Sequence, residues 1–160
     1  MGMVFYAKGL CDPDPGGWSI AAWVGRVVDT GEPFASEAEE THPCSVNRSH
    51  MAEYRALLNC LRYAKGAGHQ GFEVRMGSKL VVNQVAGQSR CHAPDLRPLY
   101  EDSIALLREC KATLVWVPRG HNKNREVERL TCYAYEVAAG RLPENKMPLF
   151  TPTRLATPIE

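Results

Sequence analysis

The sequence predicts an α/β domain: a mixed five-stranded sheet flanked by helices. Two observations carry this. β-prone apolar runs, separated by tight-turn residues, fill the chain up to Thr41. From residue 49 the apolar period changes from two to that of a helix, and strands and helices alternate from there on. The resulting order, β-β-β-α-β-α-α-β-α, fits a mixed sheet covered by helices.

Residues 3–7 (MVFYA) make the first strand, and Gly9 with the Asp-Pro-Asp-Pro-Gly-Gly run at 12–17 is expected to break it. Residues 18–28 make the second strand, turned by Asp29-Thr30-Gly31, and residues 33–42 a third, more exposed strand at the sheet edge. Over 49–65, Met51, Tyr54, Leu57, Leu58, Leu61 and Ala64 fall on one helical stripe. Ser49 is the expected N-cap, and Gly66 and Gly68 end the helix. Residues 72–76 form a short strand, 78–86 a short helix capped by Ser78, and 95–110 a helix entered through Pro94. Residues 112–117 (ATLVWV) are expected as a buried strand, and 123–139 as the last long helix. This defines a domain over 1–140. The tail over 141–160 carries Pro143, Pro148, Pro152 and Pro158, cannot continue a helix and is expected to run over the surface.

The 160 residues suffice for one domain with a real core. A formal net charge of +1 argues neither for nor against nucleic acid, so any basic face must be local. No apolar window is long enough to span a membrane, and the N-terminus enters a strand-like run with no signal-peptide pattern. The six cysteines include no C-x-x-C pair and are expected as buried, reduced thiols, which points to a cytoplasmic location. Cys91 and His92 would need two further ligands to hold zinc, and the sequence does not place them.

Four stretches carry chemistry: YAKGLCDPDPGGW (6–18), NRSHMAEYRALLNCL (47–61), VRMGSKLVVNQVAG (74–87) and WVPRGHNKNREVERL (116–130). In this order they resemble the four motifs of the type I ribonuclease H family, over roughly residues 3–138. The resemblance implies a ribonuclease H-like fold. It also implies cleavage of the RNA strand of RNA–DNA hybrids by four carboxylates that hold two Mg²⁺ or Mn²⁺ ions about 4 Å apart. The matching positions here are Lys8, Glu53, Gly77 and Glu128, with Glu126 a rival for the last. Glu53 matches directly. Lys8 and Gly77 stand where the family has aspartate, and Glu128 is one methylene longer than the family's residue. The resemblance makes His121 the counterpart of a mobile histidine that assists product release. Ser49 and His50 replace paired asparagines that contact the hybrid, and Ser78, Arg119, Lys123 and Arg125 are further candidate nucleic-acid contacts.

Charge separates a working site from an impaired one. Lys8 (+1), Glu53 (−1), Gly77 (0) and Glu128 (−1) leave a formal charge of −1 where the family has −4. Two hard dications need more oxygen ligands than this, and an ammonium among them repels a cation. The expectation is therefore a ribonuclease H-like protein of impaired catalysis with no bound metal, which binds nucleic acid or a protein partner. Lys8 is expected to pair with Glu53 or Glu128. The alternatives are an active hybrid endonuclease with a rearranged site, recruiting Asp12, Asp14 or Glu126 from turns, and a structural scaffold subunit.

Overall fold

A computed structural model of the chain describes residues 2–12, 18–41, 48–118, 127–129, 131 and 155–156. The strands are β1 (Met3–Asp12), β2 (Trp18–Val27), β3 (Pro33–Thr41), β4 (Glu73–Met76), β5 (Thr113–Trp116) and β6 (Leu155–Ala156). The helices are α1 (Arg48–Gly66), α2 (Lys79–Val85) and α3 (Arg97–Glu109). The sheet order is β5-β4-β1-β2-β3-β6. β1–β2 and β2–β3 are antiparallel, whereas β4 runs parallel to both β1 and β5. This is the expected mixed five-stranded sheet with one short addition at its β3 end.

α1 anchors the core. Tyr54, Leu57, Leu58, Leu61 and Ala64 of its predicted stripe are fully buried. All but Leu58 join Phe5, Ala7, Ala21, Trp23, Val74 and Met76 in a cluster on one face of the sheet. Each large apolar side chain buried this way contributes about 1.5–3 kcal/mol, more than helix propensity supplies at any position. A second cluster covers the opposite face: Val4, Tyr6, Ile20, Ala22, Val24 and Ala38 pack with Val127. Residues 127–129 and 131 are helical, and the rest of the expected 123–139 helix lies outside the described residues.

Four expectations need correction. β1 does not stop near Gly9 but runs on to Asp12, because Lys8–Asp12 pair with Ala22–Trp18 of β2. Asp12 therefore belongs to the sheet and not to a turn, while Asp14 lies outside the described residues. β5 is not a buried strand. As the outermost strand it has exposed ends at Thr113 and Trp116 around the half-buried Leu114 and Val115, and Trp116 is 39% exposed. β3 is not the outer edge along its whole length, because Ala38 and Glu39 pair in parallel with Leu155 and Ala156 of the proline-rich tail. Finally, α1 begins at Arg48, one residue before Ser49, so Ser49 lies within its first turn.

The helix ends follow local rules. Ser78 caps α2 as expected, with the Val81 N–H donating to Ser78 Oγ at 3.3 Å. After α1, the Gly68 N–H bonds Lys65 O and the His69 N–H bonds Ala64 O, with Gly68 at φ +78°. After α3 the same pattern recurs, with Lys111 N–H to Arg108 O and Ala112 N–H to Leu107 O. There the left-handed position is held by Lys111 at φ +51°.

Candidate active site

Three of the four motif positions are brought together by backbone packing. In the parallel β1–β4 register Ala7 is opposite Met76, so Lys8 and Gly77 are the next residues along the two strands. Gly9 then fixes α1. A Cβ at Gly9 would lie 2.2 Å from the Ala52 carbonyl carbon and 2.2 Å from the Glu53 nitrogen. Only glycine permits this approach, and it seats Glu53 against β1 one residue past Lys8. Glu53 is 6% exposed. Glu128 follows Val127, which packs on the sheet face carrying Tyr6 and Ala22, and is half-buried. Lys8 is half-buried as well, and alternation along β1 puts it on the Tyr6 face, opposite the residues under α1.

The expected ion pair of Lys8 is not formed. Among the described residues, the ion pairs join Arg55 to Glu39, Lys65 to Glu109, Arg75 to Glu73 and Arg97 to Glu101. The donor set does not fit the family's metal pair. With Lys8 and Gly77 in two of the positions, among the described residues no three His, Cys, Asp or Glu side chains come close enough to hold an ion. Cys11, Cys60, Cys91 and Cys110 are buried and form no disulfide, and burial pushes the Cys60 thiol well up.

Of the candidate nucleic-acid contacts, Ser49 and His50 are half-buried in the first turn of α1. Ser78 is 7% exposed, and its oxygen is engaged in capping α2. Arg119, His121, Lys123, Arg125 and Glu126 lie outside the described residues.

Three features near the site were not read from the sequence. Tyr54, next to Glu53, donates its hydroxyl to Gln84 Oε1 at 2.6 Å, and Gln84 Nε2 donates to Arg90 O at 3.4 Å. This buried pair ties α1 to α2 and raises the Tyr54 phenol through burial. Glu39 of β3 is 3% exposed beneath α1, 3.8 Å from Arg55 Nε, and burial pushes its carboxyl up to about 6 against the attraction of Arg55 and a hydrogen bond from Asn59. Lys79, the first residue of α2, holds its ammonium 4.7 Å from the centre of the Trp116 ring. A lone glutamate in β3 and a tryptophan in an apolar run carry no sequence signal, because both depend on which strand lies beside which.

The sequence model of the reverse transcriptase-like family matches residues 17–126. The N-terminal RNase H domain of Rv2228c from Mycobacterium tuberculosis superimposes with a TM-score of 0.77 at 30% identity, over 87% of this chain and 96% of that one. The chain belongs to the ribonuclease H type I family. RNase H1 of the halophilic archaeon Halobacterium salinarum is similar at 26% identity and a TM-score of 0.74, over 88% of this chain and 99% of that one. LC11-RNase H1, solved in complex with RNA/DNA hybrid, shares the fold at 22% identity and a TM-score of 0.75, over 86% and 99% of the two chains. The full-length bifunctional protein Rv2228c is 32% identical over 129 residues, which are 80% of this chain but 33% of that protein. The chain thus spans about a third of the curated relatives it matches. Among the described residues no helix is long and apolar enough to cross a membrane.

Proposed function

We propose that this ribonuclease H-like domain binds nucleic acid, an RNA–DNA hybrid or double-stranded RNA, and has lost the metal-dependent cleavage of its family. The observation that carries this is the pairing of β1 with β4, which aligns Lys8 with Gly77 where the family's aspartates arise. The site keeps Glu53 and Glu128 and gains a cation. Without a carboxylate at either sheet position, two Mg²⁺ or Mn²⁺ ions lack ligands, and the ammonium of Lys8 opposes their charge while favouring phosphate. Hybrid binding is supported by the LC11-RNase H1 complex, which has the same fold. The domain occupies 1–140 and works in a reducing, cytoplasmic compartment, consistent with its buried free thiols.

A second reading is favoured by one observation. β1 continues through Asp12, so a rearranged site has a carboxylate residue on the sheet to recruit.

Incubation of the protein with a labelled RNA–DNA hybrid in Mg²⁺ and in Mn²⁺ separates the two. The expected outcome is a gel shift on the hybrid without cleavage. Turnover abolished by Glu53→Gln overturns the proposal, and turnover indifferent to that change identifies a contaminant. A chain that shifts no nucleic acid supports a protein partner instead. Lys8→Asp with Gly77→Asp restores the site from −1 to −4, and calorimetric titration should then detect Mn²⁺ binding that the parent lacks. Absence of any gain in a folded variant means that these positions are not the ancestral metal site.

A further inference from the structure

We propose that Trp116 and Lys79 form a stacking subsite for an unpaired nucleotide beside the candidate site. The inference rests on the nucleic-acid reading above and goes beyond it, by naming a contact and the strandedness it selects. Trp116 is 39% exposed at the end of the outermost strand β5, whereas Trp23 is buried. Its partner across the parallel ladder is Met76, the residue before Gly77, so the ring stands at the carboxyl ends of β4 and β5. Open α/β sheets bind their ligands outside these strand ends.

The ring is also prepared for such a ligand. Lys79 begins α2 directly after the Ser78 cap, and its ammonium lies 4.7 Å from the ring centre. Among the described residues Lys79 makes no ion pair, so its charge is held by the aromatic face and not by a carboxylate. A cation beside an exposed tryptophan orients the ring, attracts a phosphate and lets a base stack. The bases of an intact duplex present their faces to one another, so an isolated ring accepts a base only from a single-stranded segment. The preferred ligand is therefore a nucleic acid whose single strand continues past the duplex held at the candidate site.

Fluorescence anisotropy with three labelled probes tests this: a fully paired RNA–DNA hybrid, the same hybrid with a single-stranded extension, and a thymidine homopolymer. The extension should tighten binding to the parent. Trp116→Ala should remove that gain, a loss of roughly 5- to 100-fold. Trp116→Phe should retain most of it. Lys79→Gln should lower the salt dependence of homopolymer binding by about 0.7 in log–log slope, a change that a purely structural role does not produce. Circular dichroism confirms that each variant is folded. If the parent binds the extended hybrid and Trp116→Ala binds it equally well, the subsite is wrong while the nucleic-acid reading stands. If the parent binds none of the probes, the nucleic-acid reading fails and takes the subsite with it.

Discussion

Replacing Glu39 by glutamine should stabilise the protein at neutral pH. Glu39 is 3% exposed beneath α1, and desolvation outweighs the attraction of Arg55, so its carboxyl titrates near 6 and not near 4.5. A folded-state pKa above the unfolded one means that the folded protein holds the extra proton. Stability from this group is therefore complete below about 4.5 and is lost as pH rises through 6. The rise corresponds to roughly 2 kcal/mol at about 1.4 kcal/mol per unit. Glutamine mimics the protonated form without titrating. Urea unfolding of the parent and of Glu39→Gln at intervals from pH 4 to pH 8 measures the difference. The two proteins should be about equally stable at pH 4, and the variant should lead by about 1–2 kcal/mol at pH 7.5. A variant that is less stable at pH 7.5, or a difference that does not change with pH, refutes the reasoning. Either would show that the pairing of Glu39 with Arg55 and Asn59 outweighs its burial.

Two further outcomes follow from backbone geometry. Gly9→Ala puts a methyl 2.2 Å from the backbone of Ala52 and Glu53, so α1 must move away from β1. A loss of about 3 kcal/mol or more in chemical denaturation is expected, and a change under about 0.5 kcal/mol would mean that α1 does not approach β1 here. Lys111→Gly removes a side chain from a left-handed position at φ +51°. The relief of about 1–2 kcal/mol exceeds the added unfolded-state entropy of about 0.4–1 kcal/mol, so thermal unfolding should show a small net gain, and a lower midpoint would contradict it.

Most of the framework was legible because period and punctuation are local properties. The α1 stripe from Tyr54 to Ala64 needed only its spacing, and the Ser78 cap only its position ahead of an apolar run. What escaped was set by distant partners. Gly9 looks like a strand terminator in isolation, yet it is the point where a helix touches the strand. The run containing Trp116 reads as buried because its apolar content is high, but its place at the end of the sheet leaves it partly in water. At the candidate site, motif order brought Lys8, Glu53 and Gly77 into view, whereas the Tyr54–Gln84 bond and the burial of Glu39 depend on how α1 sits over α2 and β3.

The parallel contact of Leu155–Ala156 with Ala38–Glu39 bears on how the molecule is made. β6 follows β3 by more than a hundred residues, so the ribosome releases it well after β3. During synthesis the polar backbone along Ala38 and Glu39 therefore waits, uncovered, while every other described strand finds its neighbours. Closing so long a loop adds only modestly to the entropic cost, because that cost grows with the logarithm of length. Two residues of ladder return little, at about 1 kcal/mol net for each hydrogen bond. β6 thus works as a late seal on the described sheet. A nascent chain halted before residue 155 would carry a folded core with one margin open to a neighbouring nascent chain.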